Sequence, residues 1–259
     1  MSLGHAARLF WVGWSFHLKG LTTSLFFVLV SVIQPIIFAT IAFYMHEAGA
    51  REGSLLYVAL GAGLMGMWSA TLFGSGGAIQ WQRWQGTLEL LVGAPPRFIF
   101  TMVPLTLATA SIGLYAVVGT LVWGRLLFGM PLALEHPFLF VLALPATTIA
   151  LGLLGLVMAS TFVLYRHASA FSNLLEYPVW LVSGLLVPIS LLPGWVVPIS
   201  WLLAPTWGVR AVREAALGGD PLPEIAMCLL LSALYLAAGA VAMGNFERLA
   251  RSRATLSLT

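Results

Sequence analysis

Four stretches of this chain, Leu21–Met45, Ser54–Gln80, Phe98–Trp123 and Pro137–Tyr165, each run for 25 residues or more without one charged side chain. Runs of that kind have few possible homes. About 20 apolar helical residues cross the ~30 Å hydrocarbon core of a bilayer. Because lipid offers no hydrogen bonds, a spanning backbone has to satisfy its own, as a helix does. Two further runs, about Ala168–Ile189 with Glu176 inside it and about Ile225–Phe246, complete a set of six. Composition excludes the soluble alternative, since 60% of residues are hydrophobic and 8% charged, where soluble domains carry about 25% charge. The first run is too long for the apolar region of a secretory signal and others follow it, so it is expected to remain as the first anchor.

Six spans place both termini on one side, and the basic residues say which. With the N-terminus inside, Arg8, Lys19, Arg83, Arg97, Arg166, Arg248, Arg251 and Arg253 are cytoplasmic, whereas Arg51, Arg125, Arg210 and Arg213 are outside. The excess of Lys and Arg on the inside selects N-in, C-in. A net charge of +3 spread this way gives no reason to expect nucleic acid as a partner; the partner implied is membrane lipid. The single cysteine, Cys228, lies in an apolar run and can form neither an internal disulfide nor a cysteine-rich metal site.

Three segments break the alternation of span and loop. Gln80–Pro96, QWQRWQGTLELLVGAPP, is a polar interruption in which Trp81, Trp84, Leu88 and Leu91 share one helical face. The spacing predicts a short amphipathic helix over 81–96, presented to the aqueous compartment or, in the plainer reading, lying on lipid. Leu191–Val209 is too apolar for a solvated loop, yet Pro193, Pro198 and Pro205 prevent a straight crossing. Two short re-entrant helices fit that pattern, with Trp195, Trp201 and Trp207 at the outer interface; a loop lying flat on the membrane is the other reading. Arg210–Asp220 then returns the chain to water. Residues 1–20 read as an amphipathic interfacial helix, with His5, Arg8, Ser15 and Lys19 on one face. Residues 247–259 read as a cytoplasmic tail. With no internal repeat or long linker, 1–259 is expected to be a single, all-α membrane domain.

The polar segment followed by Gly86, Thr87, Leu88 and Glu89, with Pro95 and Pro96 after it, resembles the permease subunits of type-2 ABC exporters. So does the outer pattern of Gly184, Leu192, Pro193, Trp195, Pro205, Thr206 and Gly218–Gly219. The resemblance implies that 81–96 is a cytoplasmic coupling helix, with Arg83, Trp84, Gly86, Thr87, Leu88 and Glu89 facing an ATPase. It also implies a second permease subunit, identical or paralogous, and a location in the plasma membrane of a prokaryote. Gln82 and Gln85 stand where relatives commonly carry glutamates, leaving Arg83 and Glu89 as the segment's charged residues.

This polypeptide is not expected to be an enzyme by itself. A phosphate-binding loop ends in Gly-Lys-Ser or Gly-Lys-Thr, and the one lysine, Lys19, follows Leu18. No cofactor or metal is therefore assigned to the chain, and ATP with Mg2+ is expected on the separate ATPase. The cargo path is expected to take an amphipathic or hydrophobic substrate. Glu176, the one carboxylate inside an expected span, has either a structural or a gating role. Gly74, Gly76 and Gly77 serve either close packing or a hinge. The alternative class is an ion-coupled carrier or channel, although five of the six spans lack the mid-membrane ionisable groups such proteins use. A serine hydrolase built on Ser75 lacks an intramembrane histidine to activate it.

Overall fold

The computed structural model describes residues 3–49, 54–84, 86–94, 97–162 and 168–253, and all regular structure among them is helical. In chain order the helices are α1 (Leu3–Thr23), α2 (Leu25–Glu47), α3 (Leu55–Trp84), α4 (Leu88–Gly93), α5 (Ile99–Ile112), α6 (Leu114–Phe128), α7 (Pro137–Phe162), α8 (Ala168–Val182), α9 (Val196–Trp201), α10 (Ala204–Leu217) and α11 (Leu222–Arg253). A single 3-10 turn, Ile189–Leu191, precedes α9.

Among the described residues, five stretches are long and apolar enough to cross a bilayer: Phe27–Glu47, Leu55–Gly77, Ile99–Phe128, Pro137–Thr161 and Leu222–Arg248. They correspond to the expected spans one to four and six. The fifth expected run behaves differently. Within the described residues α8 runs from Ala168, the first residue after the undescribed stretch 163–167, to Val182, so it ends short of the expected Ile189. The chain turns just beyond it because Gly184 adopts φ +82°, a left-handed conformation open to glycine without steric cost.

α3 is the axis of the bundle. It packs against α2, α5, α6, α7, α8 and α10, and its span is almost wholly buried. Small residues make that crowding possible. A Cβ at Gly66 would lie 2.2 Å from the Pro35 ring of α2, and one at Gly63 would lie 2.8 Å from the Val117 backbone of α6. At Gly74 it would lie 2.6 Å from Thr109 of α5. Because α3 continues unbroken past Gly74, this glycine is occupied with close packing. Pro35, Pro104 and Pro145 sit inside α2, α5 and α7 without ending them. The third expected span is interrupted at Gly113, which presses on Met67 of α3.

α1 packs on α5 rather than standing apart from the bundle. Gly13 meets Pro104, and the Trp14 indole donates to Ser111 Oγ at 3.3 Å. The opposite side of α1 leaves Trp11, Val12 and Phe16 exposed beside exposed Arg8 and Lys19, which keeps it amphipathic. At the other end of the chain, α11 runs for 32 residues, about 48 Å. The first part of the expected tail, 247–253, is therefore a continuation of this helix, while residues 254–259 lie outside the described residues.

Candidate functional site

The polar segment after the second span is built on the end of α3. Gly86 takes φ +68°, and the Thr87 backbone N–H folds back to the Gln82 carbonyl at 3.0 Å. A left-handed glycine followed by that six-to-one bond is a Schellman cap, which satisfies a carbonyl that a helix end would otherwise leave open. The Thr87 hydroxyl also reaches Gln82, at the carbonyl oxygen (3.2 Å) and at the side-chain Oε1. α4 then starts at Leu88 and lasts six residues. Ala94 leaves it in extended conformation, as the residue before a proline must.

The expected continuous helix over 81–96 is therefore an elbow. Trp81 and Trp84 belong to α3, Leu88 and Leu91 to α4, and the cap at Gly86 separates them. The side chains of Arg83, Trp84, Leu88 and Glu89 lie outside what the structure describes, as do Pro95 and Pro96. On its far side the elbow is tied to other helices. Leu91 packs against a cluster of Phe98, Met102, Leu153, Leu156, Met243 and Phe246, contributed by the start of α5, by α7 and by α11. Phe98 and Phe246 meet with ring centroids 5.9 Å apart, and the Phe98 backbone N–H donates to Glu247 Oε2 at 3.4 Å. A displacement of α4 thus has two routes into the bundle, one through α3 and one through this cluster.

Glu176 lies deep in the protein, 3% exposed on α8. Ser69 Oγ of α3 is 2.5 Å from its Oε1 and 3.1 Å from the Met65 carbonyl, so one hydroxyl proton is shared between two acceptors. The Gln34 side chain of α2 hydrogen-bonds it as well. The carboxyl thus links three helices, α8, α3 and α2. Ser75, by contrast, pairs with Thr109 Oγ1 at 3.0 Å, an interhelical hydroxyl contact with no histidine in it.

The outer segment divides into exposed and buried parts. Pro193, Trp195 and Trp201 are exposed, whereas Pro205 is buried at the start of α10. The Trp207 indole donates to the Trp201 carbonyl at 2.9 Å, and the Arg210 guanidinium stands 5.6 Å from the Trp207 ring. Tyr235 of α11 pins the break between α9 and α10. Its hydroxyl donates to the Leu202 carbonyl at 2.5 Å and accepts from the Ala204 N–H at 3.1 Å. The two short helices expected over 191–209 become α9 and a longer α10, which runs on to Leu217.

That extension corrects the expectation for Arg213. Counting charges placed it in a solvated loop, yet it is 8% exposed. Nη1 donates to the Gly184 carbonyl at 2.9 Å and to the Tyr57 hydroxyl at 3.0 Å, and Nη2 to the Leu185 carbonyl at 3.2 Å. The guanidinium carbon also stacks 3.7 Å from the Tyr57 ring centroid. Gly61 leaves the room, since a Cβ there would lie 2.5 Å from Nη2. The signal was present in the helical period, because Val209, Arg213 and Ala216 share a face whose other members are apolar.

The chain matches the family model described as ABC-2 type transporter over residues 10–217. No curated protein matches it. The matched region takes in both the elbow and the Arg213 cluster.

Proposed function

The chain belongs to the ABC-2 type transporter family, and from that premise we propose that it is the membrane-spanning subunit of an ATP-driven exporter whose ATPase is a separate, cytoplasmic protein. The chain forms six crossings, α8 together with the outer segment completing the fifth, and both termini lie in the cytoplasm of a prokaryote. Two such permease subunits, identical or paralogous, enclose the path for an amphipathic or hydrophobic substrate. ATP and Mg2+ are held by the ATPase, and hydrolysis occurs there.

The observation that carries this reading is the elbow. Its first arm is the end of the most buried helix, α3, and its second arm rests on the Phe98–Phe246 cluster. A partner that grips α4 in two different states changes the relative energy of two arrangements of the bundle, which is what coupling requires. Trp84 and Leu88 supply the anchor for the partner's cleft, and Arg83 and Glu89 fix its register. Gly86 and Thr87 keep the two arms at a set angle. Glu176 holds α8 to α3 and α2 in this scheme and does not touch cargo.

Reconstitution of the chain with its ATPase in vesicles provides the test. A Trp84→Ala, Glu89→Ala double variant should insert and fold normally but lose ATP-driven flux. Full flux in that variant would sink the coupling assignment. Flux that persists without nucleotide, driven by an ion gradient, would replace this reading with an ion-coupled carrier.

A further inference from the structure

At the end of α3 opposite the elbow is a cavity of about 370 Å3 lined by residues of α3, α10 and the turn after α8. Its volume lies within the ~300–1,000 Å3 range of small-molecule sites. Arg210, Arg213 and Glu214 stand in its wall with Tyr57, Ser183 and Ser190. Ser183 is fully buried, and its Oγ has no hydrogen-bond partner among the described residues. A buried hydroxyl without a partner costs free energy that a bound acceptor would return.

The charges in the wall favour an anion. In the wall itself two guanidinium groups, Arg210 and Arg213, stand with one carboxyl, Glu214. Glu214 hydrogen-bonds Glu224 of α11, and its pKa is pushed up to about 7, by burial first and by Glu224 next, with Asp220 adding to the rise and Arg210 opposing it. Glu135 approaches the same end of α10, near Gly218. The neighbourhood beyond the charged wall is apolar. A second space of about 90 Å3 adjoins across Tyr57 and Arg213 and is lined by Phe38, Ile41, Met45, Met65, Leu185 and Leu186.

We propose that this cavity binds the phosphate-bearing headgroup of an amphiphile, with the phosphate against Arg210 and Ser183 and the first methylenes of its chain on the apolar surface beside Tyr57. Arg213, already committed to the Gly184 and Leu185 carbonyls, contributes charge and shape, while Arg210 and Ser183 contribute hydrogen bonds. This goes beyond the exporter reading and does not depend on it, because occupancy is measured without ATP, ATPase or flux.

The experiment is native mass spectrometry of the full chain in detergent, titrated with dioctanoyl phosphatidylglycerol. Dioctanoylglycerol and inorganic phosphate serve as the two partial probes. The expected result is one phosphatidylglycerol per chain, at least tenfold weaker for dioctanoylglycerol and for phosphate alone. An Arg210→Gln, Ser183→Ala double variant should weaken phosphatidylglycerol binding at least tenfold while melting like the parent chain. Binding should also tighten as pH falls through about 7, and Glu214→Gln should remove that dependence. Equal binding of dioctanoylglycerol would overturn the phosphate assignment. Equal binding of inorganic phosphate would overturn the amphiphile. Unchanged affinity in the double variant would overturn the site itself.

Discussion

The two ends of α3 are held in different ways. At the Tyr57 end, a buried guanidinium donates to two backbone carbonyls and a phenol. At the elbow end, the chain turns on a left-handed glycine and on bonds between Thr87 and Gln82, and α4 leaves Leu90 73% exposed. The first end is fixed by side chains that have no alternative partner once water is excluded. The second is fixed by a helix cap, by the Thr87 hydroxyl on Gln82 and by Leu91 on the Phe98–Phe246 cluster. In a coupled machine that division is useful, because the surface that is pushed can vary without the far end coming apart.

The comparison is easiest to break at Arg213. Arg213→Met leaves the Gly184 and Leu185 carbonyls buried without donors, at roughly 1–3 kcal/mol each, and should lower the thermal unfolding temperature in detergent more than any elbow substitution. A variant that melts like the parent would remove the contrast between the ends. Gly66→Ala comes next. Its Cβ would fall 2.2 Å from Pro35 Cγ, and overpacking of this kind costs about 1–3 kcal/mol, again read as a lower melting temperature. Gly86→Ala should cost only about 1 kcal/mol for its left-handed backbone, yet reduce ATP-driven flux far more than it reduces stability. A parallel loss of both would mean that the elbow serves folding alone.

A smaller effect concerns pH. The Glu214 carboxyl holds its proton more tightly in the folded chain, up to about 7, than the ordinary value of 4.5. Its contribution to stability is therefore complete below about pH 4.5 and is lost as pH rises through 7. The melting temperature should fall between pH 5 and pH 8, and Glu214→Gln should flatten that slope. The smallest expected change is in Glu176→Gln, which keeps a hydrogen-bonding group beside Ser69 and should keep both fold and flux. Loss of flux with an unchanged melting temperature would move Glu176 into the gating machinery.

Much of this arrangement could be read from the chain itself. Within the described residues, the uncharged runs at 21–45, 54–80, 98–123 and 137–162 are almost wholly helical, because a long apolar segment has one economical way to pair its backbone in lipid. Two other features were misread for definable reasons. Apolar spacing across Trp81, Trp84, Leu88 and Leu91 suits an unbroken helix, and only the conformation of Gly86 shows that it is broken. Charge counting treats every arginine as solvated, which Arg213 is not; its partners are carbonyls at the turn around Gly184, which composition does not report. The cavity beside it depends on α8 ending early, a fact carried by one glycine dihedral rather than by hydropathy.

The most direct test of the coupling role is purification of this chain from its native membranes in mild detergent, with the accompanying proteins identified and assayed for ATP hydrolysis. The expected result is a soluble ATPase in stoichiometric amount that is lost from the Trp84→Ala, Glu89→Ala variant, while the permease still melts at the parent temperature. An ATPase retained by that variant, or absent from the parent chain in every detergent tried, would contradict the assignment of the elbow as the surface on which ATP hydrolysis acts.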